Sequence, residues 1–178
     1  MFYYRKLSQS STKKEARQWL RFILGIFVLS IGSLVYLIDR PANKSYLIPE
    51  SISLFDKTLS LFGEIGNHLP TFSHAFAFVL ITAALSSARR SSYLLFCGTW
   101  LLIDCLFELG QHEFFSERII SSVPDFFIDV PFLSHALNYF QNGRYDPIDM
   151  ASIILGVIAA YIVLLATEKR HRQPPSSA

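Results

Sequence analysis

Charge is scarce in this chain. Asp, Glu, Lys and Arg make up 17% of it, where soluble domains carry roughly 25%. The formal charge is only +2, and basic and aromatic residues are not interleaved. No nucleic-acid partner is therefore expected. Cysteine is almost absent. Cys97 and Cys105 fall in one apolar run, about 12 Å apart if that run is helical. That is too far for a bridge, so a disulfide framework is excluded and the pair reads as two buried thiols. G-x-S-x-G, the P-loop and the dinucleotide fingerprint are missing, as are H-E-x-x-H and any Cys-rich metal signature. No cofactor is called for and no metal is assigned, although His74, Glu108 and Asp149 would suit a hard or borderline cation. No internal repeat and no soluble domain at either end is evident.

What is present is apolar. Hydrophobic residues are 51% of the chain, 16 of them Phe, and the mean hydropathy is positive. The profile is that of a membrane protein. The spacing predicts an all-α integral membrane protein with four transmembrane helices, at about residues 20–38, 69–88, 93–109 and 149–166. Residues 1–18 read as a basic tail and 168–178 as a second tail, with the membrane domain over 19–167. The first apolar run has a basic head like a signal peptide, but no A-x-A-like site follows it. It is taken as an uncleaved span.

Interfacial amphipathic helices are expected in both longer loops. Ser51 to Gly66 carries Ile52, Phe55, Leu59 and Phe62 at helical spacing among charges. In the 110–147 loop, Pro131 to Gln141 has Pro at a first turn and Gly143 just past its end. Eleven Lys and Arg fall on the side of the two tails and the 86–92 connection, against five on the other. The positive-inside rule then places the N- and C-termini in the cytoplasm and the long loops outside a plasma membrane.

One stretch resists this apolar picture. Trp100 to His112 (WLLIDCLFELGQH) holds Asp104 and Glu108. A carboxylate in hydrocarbon is costly unless neutral, paired or functional. Asp104 lies about 16 Å along the helix from Tyr93, and Asp104, Glu108 and Gln111 form one stripe. His74 opens the second span, and Arg144, Asp146 and Asp149 open the fourth. All three runs bring ionisable groups to the outer leaflet. The sequence predicts a polar pocket of His74, Asp104, Glu108, Gln111, Arg144, Asp146 and Asp149. Glu108 is expected to find cations there, and the deeper Asp104 to be neutral and alone. No partner is assigned to His68, His112 or His135. Beneath Asp149, Ser152, Gly156 and Ala160 form a small-xxx-small face suited to close helix packing.

The plain alternative is that these carboxyls only hold helices together. His74 would then be an interfacial side chain, and Arg144 would pair with Asp146 or a lipid phosphate.

A His opening one span, Glu108-Leu109-Gly110-Gln111 closing the next, then Gly143-Arg144, Asp146, Asp149 and Gly156 opening the last resembles the VanZ-like family. The likeness runs from His74 to Tyr161, about half the chain. Members often carry Lys where this chain has Thr71, and Asn where it has Ile153. The resemblance implies a small multi-pass membrane protein of the cell envelope. The family takes its name from a glycopeptide-antibiotic resistance determinant, and no settled reaction comes with it.

The expectation is an envelope protein that binds a membrane lipid headgroup, a lipid-linked cell-wall intermediate or a glycopeptide. Two other readings stay open. One is an enzyme on a phosphate-containing lipid, with Glu108 and His74 as acid and base and Arg144 clamping phosphate. The other is a proton-coupled transporter. No catalytic residue is assigned.

Overall fold

The computed structural model describes residues 2–41, 53–55, 60–86, 90–124, 139–140 and 143–169. Among these the regular structure is entirely helical. The α-helices are α1 (Phe2–Ile38), α2 (Leu69–Leu85), α3 (Tyr93–Gly110), α4 (Glu113–Ser122) and α5 (Pro147–Lys169). Among the described residues, three segments are long and apolar enough to cross a membrane: Lys14–Ile38, Arg90–Gly110 and Pro147–Glu168.

The second expected span is apolar but shorter. α2 has 17 residues, about 25 Å at 1.5 Å per residue, where a hydrocarbon core is about 30 Å thick. It ends at Leu85 with Ser86 as its C-cap, at φ −79° and ψ 2°. Both the amide and the hydroxyl of Ser86 donate to the Thr82 carbonyl.

α2 is nevertheless the centre of the bundle, packed most extensively against α1 and α5. Ala75, Ala77, Val79, Leu80 and Ala83 are fully buried along it. Glycines bring its neighbours close. A Cβ on Gly32 of α1 would lie 2.7 Å from the Ser73 Cβ, and one on Gly156 of α5 would lie 2.6 Å from the Phe72 carbonyl oxygen. Only a bare Cα permits either approach.

α3 packs on α5 and α2 through one face: Tyr93, Cys97, Asp104 and Glu108 are buried. Its other faces expose Leu94, Leu95, Leu102 and Leu106. With Ile23, Phe27, Ile154, Leu155, Ile158 and Ile162, also exposed, they form a surface far more apolar than water tolerates. On α3 the acids lie inside and the leucines outside, an arrangement that a bilayer solvates.

Three expectations change. The N-terminal segment read as a tail is helical from Phe2, continuous with the first span. Helix needs no amphipathic pattern to continue outward from an apolar core, so polarity alone did not mark its start. The amphipathic helix expected over Ser51 to Gly66 is not formed by its described residues. Residues 53–55 and 60–62 are non-helical, and only a 3₁₀ turn, Gly63–Asn67, appears.

Asp39 explains that second change. Just past α1, its carboxylate accepts from the Leu61 amide (2.9 Å), the Phe62 amide (2.7 Å) and the Ser60 hydroxyl (3.3 Å). The loop's amides go to this one side chain instead of a helical ladder. Gly63 then takes φ 54°, the left-handed region that a Cβ disfavours.

The third change is α4, a helix in the 110–147 loop at a place the sequence did not indicate. The short helix expected over Pro131 to Gln141 lies outside the described residues, except Tyr139 and Phe140, which are helical.

The end of the bundle opposite His68 is tied by a buried arginine. Arg21 is 3% exposed. Its Nη2 donates to the Tyr93 hydroxyl (2.7 Å) and the Leu164 carbonyl (3.2 Å), and its Nε to the Thr167 hydroxyl (2.9 Å). The guanidinium also lies 5.1 Å from the centre of the Tyr93 ring. It joins α1, α3 and α5 without an ion pair to any described carboxylate.

Candidate functional site

The helices run alternately up and down, so the start of α2, the end of α3 and the start of α5 meet at one end. Three sequence features enforce this. Pro70 sits in the first turn of α2, where its missing N–H is harmless. Pro147 opens α5. Asp146 caps α5, accepting from the Ile148 amide at 2.8 Å, as N-cap carboxylates do.

The expected pocket residues separate into two clusters. In the deeper one, His74 Nδ1 lies 3.2 Å from Asp104 Oδ1. The His74 side chain is 47% exposed and Asp104 only 8%. The imidazole stacks obliquely on Phe78 at 4.3 Å and meets the edge of Trp100 at 6.2 Å. Trp100 is itself tied to Thr82 by its Nε1–H at 3.2 Å. Asp104 Oδ2 is buried and has no hydrogen-bond partner.

This pairing differs from the one expected, in which His74 stood level with Glu108 and Asp104 was alone. Antiparallel pitch is the reason. His74 is five residues inside α2 and Asp104 six residues inside α3, so both lie about 8–9 Å from their helix ends.

The outer cluster is centred on Glu108, 5% exposed. Its Oε1 accepts from the Asp146 amide at 2.8 Å and its Oε2 from the Gln111 side-chain amide at 2.8 Å. Both donors are neutral, so the expected cation is not at Glu108. The Gln111 amide also donates to the Tyr139 hydroxyl at 2.8 Å. Burial, reinforced by the Glu108 carboxylate, raises the Tyr139 phenol well above its ordinary pKa, which keeps it a neutral O–H. Gly143 lets the chain cross over Gln111. A Cβ there would collide with Gln111 Oε1 and lie 2.5 Å from the Tyr139 carbonyl oxygen.

Asp149 is taken up by residues the sequence did not single out. Its Oδ1 lies 2.9 Å from His68 Nδ1 and accepts from the Thr71 hydroxyl at 3.1 Å. One signal was available: His68 directly precedes the Leu69-Pro70 helix start, at the height of Asp149. Arg144 is exposed and makes no hydrogen bond or ion pair among the described residues.

Of the small residues on α5, Gly156 faces Phe72 and Ala75 of α2, and Ala160 is fully buried. Ser152 is half-buried. Ile153 is buried in the apolar core with Ala75 and Val79.

Chemically, the arrangement offers a half-exposed imidazole held by a buried carboxylate, a buried carboxylate held by neutral donors, and a free guanidinium at the rim. No protein-family model, curated protein or solved structure matches the chain.

Proposed function

We propose that the chain is a four-span plasma-membrane protein of the cell envelope, of the VanZ-like kind, that binds the headgroup of a phosphate-containing lipid at its outer face. α2 is taken as the fourth span. It is buried on both sides by helices that are long enough to cross, and a span of about 25 Å is accommodated by modest thinning of the bilayer. The Lys and Arg asymmetry puts both termini in the cytoplasm and the His68 end outside. α4 then lies at the outer interface. Phe114 and Phe115 are exposed on it, and the Arg118 guanidinium sits 4.0 Å over the Phe114 ring, a pairing suited to headgroup depth. Where members of the family often have Lys, Thr71 here hydrogen-bonds Asp149 and His68 completes the contact. Where they often have Asn, Ile153 fills core.

The observation that carries the lipid reading is the exposure contrast at His74 and Asp104. A polar pair one and a half turns inside a span is open on one side, and that side borders the bundle's apolar surface. A ligand entering from the bilayer would meet the imidazole and, at the rim, Arg144. The ligand expected is a lipid-linked cell-wall intermediate. A glycopeptide that mimics or sequesters one is the other partner this reading allows.

The test uses purified protein in nanodiscs doped with a polyprenyl phosphate, with bound lipid read by native mass spectrometry. Retention of the doped lipid over the bulk phospholipid is expected. It should fall sharply in Arg144→Ala and almost as far in Arg144→Lys, because Lys keeps the charge but not the planar two-pronged contact. Equal retention of doped and bulk lipid would end the reading.

A second reading has its own observation. An imidazole positioned by a buried carboxylate is the base-and-orienter part of many hydrolytic sites. If the protein turns over such a lipid, His74 is the base and Asp104 its positioning residue. Phosphate release from the same nanodiscs separates enzyme from binder. No feature of the described residues favours transport.

A further inference from the structure

Three ligating side chains converge where the loop before α2 meets the start of α5. One ligand atom from each of His68, Asp146 and Asp149 lies within 4.8 Å of the other two. All three residues are half-buried. His68 Nδ1 and Asp149 Oδ1 are 2.9 Å apart. Adjacent ligands on a six-coordinate cation with bonds of about 2.1 Å stand about 3.0 Å apart. The Thr71 hydroxyl donates to the same Asp149 oxygen, Oδ1, at 3.1 Å and fixes its position, the outer support that metal-binding carboxylates have. Asp146 spends one oxygen on the helix cap, and a carboxylate has a second to offer.

The start of a helix accounts for only part of this. A cap explains Asp146, and an acid in the first turn of α5 is favoured at Asp149 by the helix dipole. Neither brings His68 in from another element. Neither explains the acid behind them: Glu108, 5% exposed, has its Oε1 on the Asp146 amide and lies within electrostatic reach of both aspartates. One turn deeper on the same helix, Asp104 keeps a buried oxygen with no partner. Among the described residues no Lys or Arg pairs with any of these four acids. Four carboxyl groups gathered at one end of the bundle without a basic partner are an arrangement that a bound cation accommodates.

We propose that His68, Asp146 and Asp149 bind one divalent cation of the hard-to-borderline class, Mn²⁺ or Zn²⁺, where the loop before α2 meets the start of α5. One imidazole and two carboxylates suit those ions. Cys97 and Cys105, the soft ligands, lie elsewhere on α3. The site goes beyond the lipid reading and does not depend on it, because the metal is measured with no polyprenyl phosphate present. If that lipid does bind, the cation supplies positive charge for its phosphate at an end of the bundle whose own groups are mostly acids.

The probe is Mn²⁺ added to the purified full chain in a non-ionic detergent. Isothermal titration should give one saturable site per chain. Pulsed EPR should show a nitrogen coupling to bound Mn²⁺, which is direct evidence of an imidazole ligand in the unaltered protein. His68→Gln should abolish that coupling and weaken binding by about tenfold or more, as should Asp149→Asn. Glu64→Gln, an exposed acid outside the cluster, should change neither. Absence of saturable binding, absence of nitrogen coupling, or an unchanged coupling in His68→Gln would overturn the proposal. The spectrum of the unaltered protein decides even if a variant folds poorly.

Discussion

At the scale of single residues, Glu108 and Asp104 are held in different ways. Glu108 has both oxygens filled by N–H donors from opposite directions. Gln in its place has one acceptor and one donor, so a donor would face a donor. Asp104 has one partner and one idle oxygen, and Asn can turn its carbonyl to His74 and keep that contact. Glu108→Gln should therefore lower unfolding stability by about 1–3 kcal/mol, the cost of a buried group left unmatched. Asp104→Asn should cost well under that. Thermal unfolding of the two purified variants in one detergent compares them, and equal losses would contradict the assignment of donors at Glu108.

The acids of the two candidate clusters stood out in the sequence, because an acid in an apolar run announces itself. Their partners were less so. Pairing His74 with Asp104 instead of Glu108 depends on how two antiparallel helices are offset, which no residue type encodes. His68 was passed over because it lies outside any span, and its contact with Asp149 joins positions 81 residues apart.

At the scale of elements, the link between α1 and α2 depends on Asp39. Loss of hydration disfavours its charge, but hydrogen bonds from the amides of Phe62 and Leu61 and the hydroxyl of Ser60 outweigh that and hold its pKa below the ordinary 3.8. A carboxyl with a depressed folded pKa contributes stability that is present in full above its unfolded pKa. That contribution is lost as pH falls through the folded value. Asp39→Asn should therefore lower the thermal midpoint at pH 7. The gap from the unaltered protein should close as the buffer is taken below about pH 4. A gap that stays constant down to pH 3 would mean that ionisation of Asp39 is not what organises the loop. This element also shows a limit of pattern reading. Ile52, Phe55, Leu59 and Phe62 sit at helical spacing, yet the described part of that stretch is not helix. One carboxylate at a helix end competed for its amides, and hydrophobic period does not register such competition. The three helices long and apolar enough to cross a membrane were readable to within about six residues, since each is apolar and bounded by polar or turn-forming neighbours.

At the scale of the whole molecule, the proposed orientation carries a labelling prediction. In a background with Cys97 and Cys105 replaced, single cysteines at Ser45 and Ser121 should react with an impermeant thiol reagent in intact cells. One at Ser87 should react only after lysis. The reverse pattern would put the His74 and Glu108 clusters on the cytoplasmic side and remove the outer-leaflet ligand from consideration. All-helical class and membrane character followed from composition, because a bilayer leaves a chain this apolar few other solutions. The central place of α2 did not follow. It rests on Gly32 and Gly156 meeting α2 from opposite sides, and small residues are common on any span.

The buried arginine has a consequence in time. Arg21 leaves the ribosome early, while its partners follow 72, 143 and 146 residues later. At about 5–20 residues per second the last arrives about 7–30 s after Arg21 itself is made. Until Tyr93 is made the guanidinium has only headgroups and water to bond, and until α5 is made two of its three acceptors are missing, although α1 can already pack on α2. The arginine's bonds would then be completed in a fixed order, those to the last helix closing after the rest of the bundle has packed. A chain stopped after Asn142 should expose this. Pulse–chase should show it degraded faster than the full chain, and Arg21→Leu should lengthen the life of the truncated form while shortening that of the complete one. If Arg21→Leu moves both lifetimes in the same direction, the arginine is an ordinary anchor and sets no order.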